Sequence, residues 1–464
     1  MDHREREEPM RGLPRSEGKH EVTWLGTILA IVLLLVIVLV VGCGSSSPQA
    51  STTAASGEAN QATKVIKIGA IDNLQATVGV DQKKNLDVVQ DMYNKQGGIT
   101  VNGEKYKLQI ILYDDGGDAS NGKTAVNRLI FEDKVNFIVG DLYTTDSLIS
   151  VAEANKVILS GAPLSPAMYN PSNKYSFNTA ALTATGPAAL GWIAKQHPGA
   201  TAVFAVPDDQ QGHMAGALVE QSMAAFGLKG TSLYYPASTT DFSSIATKVK
   251  QSNPQLFATV AESVMLKNVY EAGWRGTMFA IAQISTGTLL SQVPADELTG
   301  YVGPSYYTEF DPGMTQLAKD FQAAYTEKYG KWDSPSVAGL SQVYAIIAAI
   351  QKADSVDVDK VADALATGLS WETPGAKYQM IARPDMGITR TVDSAISFPM
   401  KTIVDGKPQV VADITIEDAI GYAEQVNAAT AAAGGGAPPA GGAPGGTPPS
   451  GGTPPAGAPT TAGQ

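Results

Sequence analysis

The chain has 464 residues, 44% of them hydrophobic, with a formal net charge of −12 at pH 7 and one cysteine. Its length suggests two or three domains. Asp plus Glu (45) outweigh Lys plus Arg (33) and no long basic run occurs, which argues against nucleic-acid binding by phosphate neutralisation. The lone Cys43 excludes an internal disulfide framework and a multi-cysteine zinc site. The histidines are His3, His20, His197 and His213, which leaves little material for metal or acid–base chemistry. No metal, no cofactor and no catalytic residue is therefore expected.

From Val22 to Gly57 no residue is charged, and Trp24 to Gly42 is a near-continuous apolar run. As a helix that run would be roughly 28 Å long, close to the hydrocarbon thickness of a bilayer. Val40-Val41-Gly42-Cys43 follows, and it resembles the lipobox of bacterial lipoproteins. Residues 1–42 are then expected to be a signal peptide, Cys43 the lipidated residue, and 43–63 a Ser/Thr/Ala-rich tether. The competing reading is an uncleaved signal anchor. It draws on an odd leader, where Arg4, Arg6, Arg11, Arg15 and Lys19 face Asp2, Glu5, Glu7, Glu8, Glu17 and Glu21. A start at Met10 would remove four of those acids. Either reading places the rest of the chain outside the cytoplasm.

The organised part begins with Val65–Ile71, a buried-strand pattern. A helical stripe of Leu86, Val89, Met92 and Tyr93 runs within Asp81–Lys95. Thr100–Glu104 carries an Asn-Gly pair and predicts a small hairpin. Strand patterns at Leu108–Tyr113, Phe137–Val139 and Val157–Leu159 alternate with helices over Asn121–Phe131 and Ser147–Asn155. This is βαβ alternation, which predicts a parallel sheet covered by helices. The rhythm restarts with a helix at Thr185–Gln196 and a strand at Ala202–Val206. Helices at Gln211–Phe226 and Phe242–Gln251 follow, with further apolar segments at Ser232–Tyr235, Leu256–Val260, Leu266–Ala272 and Met278–Ile281. Two sets of βα units predict an α/β protein of two Rossmann-like lobes. A helical block over Met314–Tyr329, Val337–Ala353 and Val358–Ala366 comes next. A segment at 413–427 then leads to a tail over 428–464, expected to be disordered. From Ala431 onward that tail holds 11 Gly, 8 Pro and no charge.

Gly117-Asp118-Ala119-Ser120-Asn121-Gly122-Lys123-Thr124 matches the P-loop pattern, after a predicted strand and before a predicted helix. Asp114, Asp115 and Asp118 oppose that reading, because they put carboxylates where phosphate charge would go. No magnesium-binding acid ends a partner strand either. A P-loop NTPase is thus the remote alternative, and a helix-capping loop the plain one. His213 has no Gly-x-Ser-x-Gly elbow with it, so no hydrolase constellation forms.

Several stretches in order resemble the type I periplasmic solute-binding proteins of ABC importers, in the Leu/Ile/Val-binding and amide-binding branch. They are Ile66–Ala70, Tyr113–Asp118, Phe137–Gly140, Thr239–Ser243, Glu271–Gly273, Asp359–Leu365, Ser397-Phe398 and Ile403–Lys407. The resemblance implies the type I fold, with lobes 64–177 plus 302–374 and 178–301 plus 375–412, joined by three crossovers near Phe177, Tyr301 and Pro374. It also implies a small-molecule solute such as a branched-chain amino acid, an amide or a small carboxylate. The implied partners are ABC permease subunits, with attachment to the membrane through a lipid anchor. A membrane-anchored ligand-sensing ectodomain is the alternative.

Ligand is expected at the carboxyl ends of the strands. That rule selects Asp72–Gln75, Asp141–Thr145, Ser160–Leu164, Pro207–Gln211, Glu262–Ser263 and Gln283. The candidate ligand-binding residues are Tyr143, Thr144, Thr145, Ala162, Leu164, Gln211, Glu262 and Gln283. Thr144 and Thr145 open a helix and can offer hydroxyls and N–H groups to a carboxylate or carbonyl. Amino-acid binders of the family carry an acid, a covering aromatic and an ammonium-binding threonine where this chain has Gln283, Gln211 and Leu164. Capture of an α-ammonium is weaker without the acid, although Glu262 is placed to substitute. The family's two cysteines correspond to Gly117 and Tyr143, so that disulfide is absent.

Overall fold

The computed structural model describes residues 64–140, 144–162, 166–236, 238–260, 262–307 and 314–432. Cys43, the apolar run before it and the segment from 433 onward lie outside the described residues. Among the described residues, no helix is long and apolar enough to cross a membrane.

The first half follows the predicted alternation. Its elements are β1 (Lys64–Asp72), α1 (Thr77–Lys95), β2 (Ile99–Val101), β3 (Glu104–Asp114), α2 (Ala119–Phe131), β4 (Phe137–Val139), α3 (Thr145–Asn155), β5 (Ile158–Gly161) and β6 (Ser176–Asn178). The strands pair in the order β2-β3-β1-β4-β5-β6, parallel except for the β2–β3 hairpin. Asn102 and Gly103 turn that hairpin with φ of 49° and 74°. These are the left-handed conformations that an Asn-Gly turn supplies at little cost. Residues Phe137–Val139 are all buried, as a central parallel strand covered on both faces requires.

The second sheet is built from α4 (Leu182–Gln196), β7 (Thr201–Pro207), α5 (Gln210–Ala225), β8 (Lys229–Tyr235), α6 (Ser243–Ser252), β9 (Leu256–Thr259), α7 (Ser263–Glu271), β10 (Thr277–Ala280), α8 (Thr286–Gln292) and β11 (Tyr301–Pro304). Then α9 (Gln316–Tyr329), α10 (Leu340–Ala353) and α11 (Val358–Ala366) return to the first sheet, where α9 packs on α1 and α10 on β5. The chain ends in β12 (Ser370–Glu372), β13 (Lys377–Arg383), β14 (Ile388–Val404), β15 (Lys407–Ile414) and α12 (Ile416–Ala432). The second sheet runs β12-β13-β14-β11-β10-β9-β7-β8, with β15 on β14.

Two features depart from the sequence-based expectation. The stretch 370–414 forms antiparallel strands, of which β14 is 17 residues long and pairs with β13 along its first part and with β11 and β15 along its last. Helix α12 extends to Ala432, so residues 428–432, expected as the start of the tail, are helical. Ala-rich sequence is the best helix former, and Val426 and Tyr422 are buried beneath it, so the helix continues until glycine begins.

The chain passes between the sheets after β6, after β11 and after α11. At the first passage Ala181 N–H donates to Ser394 Oγ (2.9 Å), Thr183 Oγ1 donates to Asp393 Oδ2 (2.8 Å) and Thr179 shares a 2.7 Å hydroxyl bond with Ser160. Just past β11, Tyr307 N–H donates to Gly375 O, in the turn between β12 and β13, at 2.9 Å. Gly375 must be glycine, since a Cβ there would come within 2.7 Å of Val337 and 2.9 Å of Tyr306. The Arg383 guanidinium binds Asp393 at 3.0 Å, and their side chains are 15% and 1% exposed. Burial pushes the Asp393 carboxyl up, while Arg383 and the Thr183 hydroxyl pull the other way. Removing one partner of a buried pair strands the other. Asp393→Ala should therefore cost about 3 kcal/mol in urea unfolding, since Arg383 keeps Asp385. A loss under about 1 kcal/mol would show that the pair does not secure the passage.

Candidate functional site

In the first sheet β1, β4 and β5 are adjacent and parallel, so their carboxyl ends open on one edge. Thr145 sits between two of those ends. A Cβ on Gly140 would approach its Oγ1 to 2.5 Å, and one on Gly161 would approach its Cγ2 to 2.5 Å. Glycine at both strand ends is what lets α3 start so close to the sheet. Ala162 is buried directly after β5. Thr144 is also buried, and its hydroxyl donates to Asp115 Oδ2 at 2.6 Å. The hydroxyl expected to face a ligand is thus bound within the protein. Asp115 also accepts Gly117 N–H at 2.8 Å, tying the β3–α2 loop to the start of α3.

In the second sheet the ends of β7, β9 and β10 are adjacent. Pairing continues past the strands, with Ala282 N–H donating to Val260 O at 3.2 Å. Glu262, half-buried at the start of α7, and Gln283, half-buried after β10, therefore leave the sheet side by side. Gln283 Nε2 donates to Ser305 O at 3.3 Å, which places it against the second passage. Gln211 is in the first turn of α5, after β7. Tyr143, Leu164 and Cys43 lie outside the described residues.

The two edges face one another. Ser285 Oγ and Thr288 Oγ1, just beyond β10, donate to Ser334 O at 3.0 and 3.2 Å. Ser334 belongs to the segment before α10 that is pinned to α1, where Ser336 N–H donates to Asp81 Oδ2 (2.9 Å) and Asn85 Nδ2 to Ser336 O (2.7 Å). Nothing in the sequence marked Ser285, Thr288 or Ser334, because small polar residues carry no signal until the fold brings them together.

The P-loop-like stretch is not a phosphate cradle. Asp118 caps α2 and accepts the N–H groups of Ser120 and Asn121, both at 2.9 Å. Thr124 donates back to Ser120 O, and Lys123 is exposed on the helix. The amides that would cradle a phosphate hold the protein's own carboxylates instead. Among the described residues no group of three or more His, Cys, Asp or Glu side chains is placed to hold a metal ion.

A family model described as periplasmic binding protein matches residues 65–393. Crystal structures with the same fold include a leucine binding protein from Thermotoga maritima, 18% identical over 76% of this chain and 100% of that one, with a TM-score of 0.61. A solute binding protein of an ABC transporter from Rhodopseudomonas palustris, in complex with 3,4-dihydroxybenzoic acid, is 21% identical over 75% of this chain and 97% of that one (TM-score 0.60). A branched-chain amino acid transporter substrate binding protein from Streptococcus pneumoniae, bound to isoleucine, is 18% identical over 75% and 99%, with a TM-score of 0.57. The chain belongs to the periplasmic binding protein family, with the two-sheet α/β fold of its type I branch. The family is one of binding proteins that work outside the cytoplasm.

Asp114 holds this edge together by accepting Gly116 N–H (2.9 Å), Leu74 N–H (3.0 Å) and Gln75 Nε2 (2.9 Å). The two amides, Gly116 before Leu74, hold its carboxyl below the ordinary range. A lowered folded-state pKa gives stability that is present above the unfolded value, about 4, and lost as pH falls through the folded value. Asp114→Asn should lower the Tm at pH 7 and converge with the parent protein in acid. A difference that persists unchanged at low pH would rule out this linkage.

Proposed function

We propose that this chain is the solute receptor of an ABC importer, lipid-anchored through Cys43, and that its ligand is a small molecule bearing a carboxylate or carboxamide. The first sheet with α9, α10 and α11 acts as one lobe and the second sheet with its helices as the other, and ligand binds between the facing strand edges. The observation that carries the reading is the pair of opposed edges, bridged by Ser285, Thr288 and Ser334. A solute touching both edges favours only the closed arrangement, so closure follows from differential affinity.

The ligand class follows from what stands at the edges. The start of α3 on one side presents the positive end of a helix dipole, which suits a carboxylate or carbonyl oxygen. Opposite it, Gln283 offers a neutral amide, with Glu262 beside it for an ammonium or amide N–H. Isoleucine and 3,4-dihydroxybenzoic acid, bound by two of the similar proteins, share a carboxylate. Attachment rests on Val40–Cys43 at the end of an apolar leader.

Isothermal titration against isoleucine, leucine, acetamide, propionamide and benzoate should find at least one ligand. Silence across that set overturns the proposed ligand class. For the ligand found, Gln283→Ala should weaken binding about two- to tenfold, the worth of one neutral hydrogen bond. Unchanged affinity would remove Gln283 from the site.

Intact-mass analysis of the membrane fraction should find a chain beginning at a diacylglyceryl Cys43, and Cys43→Ser should release or block it. A retained leader would instead favour an anchored sensing ectodomain.

A further inference from the structure

Outside the facing edges, a cavity of about 670 Å³ opens between α4, α12 and β13, and none of the strand-end residues lines it. Its body is apolar, formed by Ala184, Pro187, Leu218, Ile381, Ile420 and Ala423. The volume is that of a site for a small organic molecule. Residues 420, 423, 424 and 427 all line it, so one continuous face of α12 looks into the space and the helix does not close it.

The polar end of the cavity is unbalanced in charge. Arg383 is a cation in its wall, against the carboxylates of Asp385, Asp393 and Glu424. Every nitrogen of that guanidinium is already committed: Nε and Nη2 to Asp385 (3.0 and 2.7 Å) and Nη1 to Asp393 (3.0 Å). Its face lies over the Tyr169 ring, 4.9 Å from the centroid. An incoming anion would meet a net negative wall, in which Arg383 is already paired with both neighbouring carboxylates. Asp393 is buried and saturated by Arg383, Thr183 and Ser394 N–H, so it fixes the wall without serving the ligand. Glu424 is exposed at the mouth and makes no ion pair among the described residues.

We propose that this cavity is a second small-molecule site, selective for an amphipathic organic cation. The apolar body of the ligand lies against Ala184, Pro187, Leu218 and Ile420, and its ammonium group lies between Glu424 and Asp385. The site is independent of the ligand held between the facing edges.

The test uses 2-phenylethylammonium as probe on the purified full-length protein, with phenylacetate and 2-phenylethanol as anionic and neutral counterparts of the same shape. Titration should show binding of the cation, weaker binding of the alcohol and none of the acid. Ala423→Trp fills the space from α12 and should lower cation affinity at least about tenfold. Should that variant lose its cooperative melting, Glu424→Lys decides, since it alters only an exposed side chain. It should leave the Tm unchanged and weaken the cation about tenfold, the worth of a charged hydrogen bond. Absence of cation binding, equal affinity for the acid, or a cation affinity unmoved by both variants would each overturn the proposal.

Discussion

Chain that crosses between two sheets leaves regular pairing, and its buried backbone groups still need partners. That constraint shapes the middle of this molecule. Ser394 accepts Ala181 N–H, Asp393 accepts the Thr183 hydroxyl, and buried Lys401 donates to Tyr306 O at 2.9 Å. The long β14 supplies all three side chains. One strand therefore pins both the first passage and the second, and its pairing with β13, β11 and β15 makes it a fixed frame. The cost is a buried ion pair and a buried lysine, tolerable because each is hydrogen-bonded where it lies.

With the passages fixed, the carboxyl edges of the sheets are held facing one another. Two hydroxyls on one carbonyl at Ser334 cross the gap. A neutral hydrogen bond of this kind contributes only about 1 kcal/mol net, so the two orient the edges without locking them. In the proposed receptor, a solute contributing a few kcal/mol would then decide which arrangement is populated.

The loop over Gly117–Thr124 shows how a letter pattern and its chemistry separate. Spacing and local context satisfy a phosphate-binding motif, yet Asp118 fills the helix amides and Asp115 turns inward to Thr144. Carboxylates there serve the edge of the sheet, and Asp118 takes the amides at the start of α2 that a phosphate would need. The cluster of acids that argued against nucleotide in the sequence is the group that occupies the site in the fold.

Local patterning was enough for much of this. Apolar runs such as Phe137–Val139 and Leu256–Thr259 are short and continuous because a covered parallel strand is buried on both faces. The Asn102-Gly103 turn is set by its own backbone preference. The same rule of strand ends located Thr145, Ala162, Glu262 and Gln283 on the two edges. The antiparallel region of 370–414 was not legible, because β14 serves several partners at once and no period records that. Nor was the engagement of Thr144, whose hydroxyl meets a carboxylate 29 positions away. The Thr183–Asp393 bond spans 210 positions and Ser336–Asp81 spans 255. Periodicity reports which face of an element is buried, a property of neighbouring residues. Which polar groups meet across such distances is fixed only when both sheets are packed, and there the tertiary structure alone decided.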